Sequence, residues 1–286
     1  MIWQTTRFTI DISRPKVMGI VNVTPDSFSD GGRHRGLEAA MRHCERLLDE
    51  GADILDIGGE STRPGAESVP ADEEIDRVMP LLREAVRFGV PLSVDTSKPD
   101  VMRAALEVGV DIINDIRALR EPGAMEVVAA HPACGICLMH MHGDPQTMQA
   151  APMKGDVVSV VRDFLVRAAA QAVSRGVSAA RIVLDPGIGF GKTVAQNFSL
   201  LARQGELLET GYPLLAGWSR KSSLGSVAAR KGKVPEPGQR LGASLAAAVL
   251  AAERGARVLR VHDVRETVQA LAVWSAVRNQ AVSGDH

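Results

Sequence analysis

Eight short apolar runs recur along this chain of 286 residues, each followed by a stretch with helical spacing. They read "KVMGIVNV", "ADILDIGG", "PLSVDTS", "DIINDI", "GICLMHM", "RIVLDPG", "PLLAGWS" and "ARVLRVHDV". Apolar residues stand on both faces of each run, the pattern of parallel strands covered by helices. The intervening segments "GLEAAMRHCERLLDEG", "ADEEIDRVMPLLREAVRFG" and "KPDVMRAALEVG" place apolar residues three and four apart and stop at a glycine. The shorter "EPGAMEVVAAH" follows, then "VVSVVRDFLVRAAAQAVSRG", "NFSLLARQGELLETG", "PGQRLGASLAAAVLAAERG" and "RETVQALAVWSAVRNQ". Eight strand–helix units predict an α/β fold of the (β/α)8 TIM-barrel type. The leading "FTIDIS" is expected to form a short N-terminal β-hairpin closing the barrel bottom, and no linker-like stretch divides residues 1–286 into more than one domain. A doubly wound open sheet would require the unit count to stop short of closure.

Composition narrows the function classes. The formal net charge is −1 and aromatics make up 3% of residues, which argues against a nucleic-acid partner by field or by base stacking. The longest uncharged apolar run, "LGASLAAAVLAA", is short for a membrane span, and the "MIWQTTRFTIDIS" start lacks the pattern of a signal peptide. The expectation is a cytoplasmic enzyme acting on small molecules. Cys44, Cys134 and Cys137 are too few for a disulfide framework.

In a barrel of this type the C-terminal strand ends meet and build the site. Here every end is polar. The first run ends at Asn22, and the second at Glu60, Ser61, Thr62 and Arg63. The third supplies Asp95, Thr96 and Ser97, and the fourth Asn114 and Asp115. His140, His142 and Asp185 follow, then Ser219, Arg220 and Lys221, and last Arg260, His262 and Asp263. One such residue is most often a turn or a helix cap. Convergence of all eight ends is harder to explain that way. Arg63, Lys221, Arg260 and His262 suit a phosphate or diphosphate. Asp95, Asn114 and Asp185 suit the donor edge of a flat heterocycle, since a carboxylate accepts two parallel hydrogen bonds.

Three features suggest other chemistry and are set aside on spacing. "DPGIGFGKT" ends like a phosphate loop, but Pro186 stands where the first glycine belongs, so a flexible glycine loop is expected. Cys134-x-x-Cys137 has no second pair and leads into a strand, which favours buried structural thiols. His140 and His142 end one run, and with no His-rich constellation around them they make a poor site for a single metal. Phe28 and Phe190 lie in loops, where each either packs or stacks on a ring.

Taken in order, "GIVNVTPDSFSDGG", "DIGGESTRPGA", "VDTSKP", "INDI", "LMHMHGDPQTMQ", "DPGIGFGKT", "GWSRKS" and "RVHDV" resemble the dihydropteroate synthases across nearly the whole chain. The resemblance implies a barrel that condenses a dihydropterin hydroxymethyl diphosphate with 4-aminobenzoate in folate biosynthesis, with Mg2+. By motif, Asn22 is implied to help hold the magnesium and the diphosphate. Asp95, Asn114, Asp185 and Lys221 are implied to form the pterin pocket. Thr62, Arg63, Arg260 and His262 are implied to meet the diphosphate, and Phe28, Arg63, Pro64, Phe190 and Ser222 the aminobenzoate. Asp95, Arg63, Lys221 and Asn22 are the implied catalytic residues. Carbon–oxygen cleavage would be dissociative, with Asp95 facing the cation and a loop closing over it against water. Phe28 and Pro64 match the pattern associated with sulfonamide sensitivity. "VAQN" lacks the histidine expected before Asn197, and Trp218 replaces a smaller residue. A pterin-binding methyltransferase on the same barrel would not need the "TPDSFSDGG" and "STRPG" loops. A non-catalytic pterin-binding paralogue would be expected to have lost a loop residue or a cation. The last helix carries more apolar surface than one buried stripe requires, Trp274 included, which together with the resemblance implies a homodimer.

Overall fold

The computed structural model describes residues 1–23, 32–62, 65–144, 148 and 153–283. A two-stranded antiparallel hairpin, β1 (Ile2–Gln4) and β2 (Thr9–Asp11), comes first, as expected. The eight apolar runs then form β3 (Lys16–Asn22), β4 (Ile54–Gly58), β5 (Leu92–Asp95), β6 (Ile112–Asp115), β7 (Gly135–Met139), β8 (Ile182–Asp185), β9 (Leu215–Ala216) and β10 (Val258–Val261). All their pairings are parallel, in the order β8-β7-β6-β5-β4-β3-β10-β9. The parallel bridge Leu184–Leu214 joins the two outer strands, with Leu184 N–H donating to Pro213 C=O at 2.9 Å, so the sheet closes as a barrel.

Ten helices wrap the sheet among the described residues: α1 (Gly32–Asp49), α2 (Ala71–Ala85), α3 (Pro99–Glu107), α4 (Ala124–Ala130), α5 (Val157–Ser174), α6 (Val194–Ala202), α7 (Gln204–Leu208), α8 (Ser222–Val227), α9 (Leu241–Glu253) and α10 (Val264–Ser283). Local chemistry sets several ends. Asp72, Glu73 and Glu74 crowd the first turn of α2, where the helix dipole favours anions. Thr193 and Gln196 cap α6 reciprocally. The single helix expected over "NFSLLARQGELLETG" is instead two, α6 and α7, broken at Arg203. The break places Gln204 where its side-chain amide donates to Ala251 and Arg254 C=O, both at 2.9 Å, which ties α7 to α9. Helix α8 was not foreseen, its six residues being too short for a periodic signal. In α9, Ala247, Ala248, Ala251 and Ala252 are buried, so the run judged short for a span is a helix packed closely on the barrel. No described helix is long and apolar enough to cross a membrane.

Two apolar layers position the site. Outward-facing strand residues such as Val17, Leu55, Ile57, Val94, Ile113 and Leu184 join the helices in one large cluster. Inward-facing Met18, Ile54, Ile112, Cys137, Val183, Leu215 and Val258 form a second cluster inside the barrel, plugged from below by Trp3, Ile10 and Ile12 of the hairpin. Strand residues alternate faces. The residue two steps beyond each inward apolar one therefore also faces inward, one layer higher.

Candidate active site

That upper layer is the site. Two residues on from Ile54 stands Asp56, from Ser93 Asp95, from Ile112 Asn114, from Val183 Asp185 and from Val258 Arg260. Asp95 and Asn114 are direct neighbours in the β5–β6 register. Arg260 reaches across from β10 and donates to Asp56 through Nε and to Asp95 through Nη2, both at 2.6 Å. Asn114 Nδ2 donates to the same Asp56 oxygen at 3.2 Å. The other oxygen, Asp56 Oδ1, is buried and accepts no hydrogen bond from any described residue.

Burial governs the charges here. It raises the Asp95 carboxyl to about 7, with Arg260 opposing and Asp56 adding to the rise. Asp185 is raised as well by burial, against the Gly187 N–H that donates to it at 2.7 Å. Burial lowers the Lys221 amine to about 8, opposed by Asp185. Asp115, the neighbour of Asn114, points the other way, accepting from Arg117 and Leu119 N–H at 2.7 and 2.6 Å. It shapes a turn and lies outside the cluster.

The remaining predicted residues ring this floor. Asn22 ends β3 opposite Gly58 and is half-buried. Thr62 is half-buried beyond β4. Two residues earlier, Glu60 pairs with Lys98, which also pairs with the fully buried Glu74 of α2 and so anchors the base of that loop. Lys221 precedes α8, whose first residue, Ser222, is exposed. His262 Nδ1 lies 3.0 Å from Ser219 Oγ, which also accepts the His262 N–H at 3.1 Å. Between them Arg220, held at a left-handed φ of 59°, pairs with Asp263. Phe28, Arg63 and Pro64 lie outside the described residues.

The loop after β8 differs from expectation. It is fastened rather than free. Lys192 is buried and donates to Gly187, Phe190 and His140 C=O at 2.8, 3.1 and 3.3 Å. Phe190 is buried against Ile116, Met139, Met141 and Met148, with Lys221 Nζ 4.3 Å above its ring. Phe190 therefore packs and also carries a cation on its face. His140 is buried, and burial lowers its imidazole to about 2, while His142 is exposed. Cys134 and Cys137 are buried free thiols. The unexpected Trp218 is buried against Phe198, their rings 5.4 Å apart.

Sequence reasoning passed over Asp56 and Lys192. Asp56 was detectable as the carboxylate of "ADILDI" that stands two residues beyond the inward Ile54. Lys192 was visible only as the end of a motif set aside.

A family model described as pterin binding enzyme matches residues 18–262. The dihydropteroate synthase of Escherichia coli strain K12 is 50% identical over 269 residues, covering 94% of this chain and 93% of that protein. A crystal structure of Burkholderia cenocepacia dihydropteroate synthase complexed with 7,8-dihydropteroate is 50% identical, covers 99% of this chain and 98% of that one, and superposes with a TM-score of 0.88. The Xanthomonas albilineans dihydropteroate synthase structure with 4-aminobenzoic acid is also 50% identical, covering 97% and 99% with a TM-score of 0.89. With its closed barrel, its inward carboxylate–amide–arginine layer and these relatives, the chain belongs to the dihydropteroate synthase family of pterin-binding enzymes.

Proposed function

We propose that this chain joins a dihydropterin hydroxymethyl diphosphate to 4-aminobenzoate, releasing diphosphate and forming dihydropteroate for folate biosynthesis. The observation that carries this reading is the buried acceptor layer of Asp56, Asp95, Asn114 and Asp185 beside Lys221 and Arg260. Four acceptors facing inward at one depth suit a flat ring with several N–H donors along one edge. The orphaned Asp56 Oδ1 is the acceptor still free for such a donor.

The chemistry follows from where charge develops. As the carbon–oxygen bond breaks, its electron pair leaves with the diphosphate and the pterin methylene becomes cationic. Asp95, ionised above about pH 7, stabilises that cation from a largely buried position where water screens it little. Lys221 holds the ring edge beside Asp185. Arg63, Thr62 and His262 receive the leaving anion. The amine nitrogen then forms the carbon–nitrogen bond and loses its proton to solvent, so no strong general base is required.

Magnesium belongs to this reading. Among the described residues no three His, Cys, Asp or Glu side chains group into a metal site, and Asn22 offers an amide oxygen at the end of β3. That donor set suits a hard ion that keeps most of its waters and rides on substrate phosphates. Asn22 would hold it there, and when bound it would supply charge neutralisation for the diphosphate. The exposed Val273 and Val277 of α10 support a homodimer through the late helices, in a cytoplasmic enzyme.

The test is diphosphate release from the pterin substrate with magnesium, measured with and without 4-aminobenzoate, beside Asp95→Ala and Arg63→Ala. Release that needs the amine and collapses in both variants supports the proposal. A chain that binds the pterin in a calorimeter yet releases nothing would be a binding protein or a methyl-transfer enzyme instead. A sulfonamide is expected to compete with 4-aminobenzoate in the same assay.

A further inference from the structure

Lys192 is 2% exposed and is used by none of the steps above. Among the described residues it forms no ion pair; its partners are three carbonyls. An ammonium has three protons and no acceptor, so Gly187, Phe190 and His140 C=O saturate it. Two of these belong to the loop after β8 and the third to the end of β7, so one side chain staples loop to barrel. The backbone is shaped for that closeness. Gly187 and Gly191 sit at φ +67° and +68°, and a Cβ there would lie 1.9 and 2.2 Å from His140 and His142 C=O. On the other flank Gly189 N–H donates to Asn197 Oδ1 at 2.8 Å, and Asn197 Nδ2 donates to Ser223 Oγ at 2.9 Å, two residues beyond Lys221. Between the two fastenings lies Phe190, under the Lys221 ammonium. The motif that resembles a phosphate loop thus turns its lysine on its own carbonyls.

We propose that Lys192 is a positioning residue for the transfer reaction: its ammonium gathers His140, Gly187 and Phe190 carbonyls and thereby sets the Phe190 ring and the Lys221 cation at the mouth where the aromatic amine enters. This rests on the functional reading above. Burial lowers the Lys192 amine to about 7, with Asp185 opposing and Lys221 adding to the fall, and His140 presents a neutral ring, so the comparison is made below pH 7, where the ammonium is held. The pterin layer is built by β4, β5, β6, β8 and β10, and Lys192 reaches it only at one edge, through the Gly187 N–H that donates to Asp185. Its loss should fall more heavily on the amine than on the pterin, three of whose four acceptors lie beyond its reach.

The full chain is compared with Lys192→Met, which keeps the stem without donors, and Lys192→Gln, which keeps two donors. Diphosphate release yields kcat and the KM for 4-aminobenzoate, calorimetry yields pterin affinity, and hydrogen exchange follows the Gly189 and Phe190 amides. In Lys192→Met the amine KM is expected to rise about tenfold, with pterin affinity within about twofold and the two amides exchanging about tenfold faster. Lys192→Gln is expected between Met and wild type, and it carries the test alone if the Met variant does not fold. Unchanged KM and exchange would overturn the proposal, as would an amine KM and a pterin Kd that worsen together. If the wild-type chain releases no diphosphate at all, the functional reading fails instead, and the exchange comparison still decides whether Lys192 holds the loop.

Discussion

At the lower end of the barrel, both oxygens of the fully buried Asp111 are used: Arg7 donates from its backbone, Nε and Nη2 at 2.9, 3.2 and 2.6 Å, and Leu92 N–H adds a bond at 2.9 Å. Arg181, equally deep, donates to Cys134 and Val128 C=O and accepts the Trp3 indole N–H on its own carbonyl at 2.9 Å. At the upper end Asp56 leaves one oxygen unused, and burial holds Asp95 and Lys221 well away from their ordinary pKa values. Both ends bury charge. Only the lower one completes its hydrogen bonds, and completed buried bonds are what stabilise a fold. Incomplete ones raise the energy of the unliganded protein and reward a ligand that completes them. The hairpin end is built for stability and the loop end for binding, as barrels of this class divide the two tasks.

Exchanging a residue at each end tests this contrast. Asp95→Asn should lower kcat/KM by about 10²–10³-fold, the scale of losing one buried charge aimed at the transition state. Its thermal midpoint at pH 8 should not fall. The folded Asp95 keeps its proton to about pH 7, against 3.8 in a free side chain, so its ionisation between those values costs stability as pH rises, and the amide removes that cost. A lowered midpoint at pH 8 would mean that the carboxylate supports the fold.

Asp111→Ala should do the reverse. Stripping Arg7 and Leu92 N–H of their buried acceptor is expected to cost about 2–3 kcal/mol in chemical denaturation, with kcat/KM unchanged while the protein stays folded. A matching loss of activity would erase the distinction between the ends.

The pH profile sharpens it further. With Asp95 required ionised and Lys221 required protonated, kcat/KM for the pterin substrate should climb up to about pH 7 and decline above about pH 8. Asp111→Ala should leave both limbs in place. The smallest effect is expected for Trp3→Phe, which removes the single bond to Arg181 C=O: about 1 kcal/mol of stability and no change in the assay.

The barrel itself was legible because its signal is local. Each strand announces itself in a few apolar residues, and each helix in its spacing. β9 is only two residues long, yet "PLLAGWS" still marks it. Where the local signal was weak, the reading slipped: α8 was missed, and α6 with α7 read as one helix. The candidate site was legible in its residue types, since the polar strand ends pointed to Asp95, Asn114, Asp185 and Arg260. Asp56 was hidden by its apolar surroundings, although the same periodicity places it in the layer.

The sequence by itself determined the strand–helix alternation, the inward register of the polar residues, and the ordered motifs that the family shares. Tertiary structure alone decided how those residues spend their charges. Arg260 stands 204 residues from Asp56 and 165 from Asp95, and only barrel closure brings its guanidinium between them. Lys192 meets a carbonyl 52 residues away, and its ammonium serves the loop rather than a phosphate because two glycines let the backbone press against β7. Residue type follows from the chain, but hydrogen-bond partnership depends on distances of a few ångströms, which only the folded barrel sets.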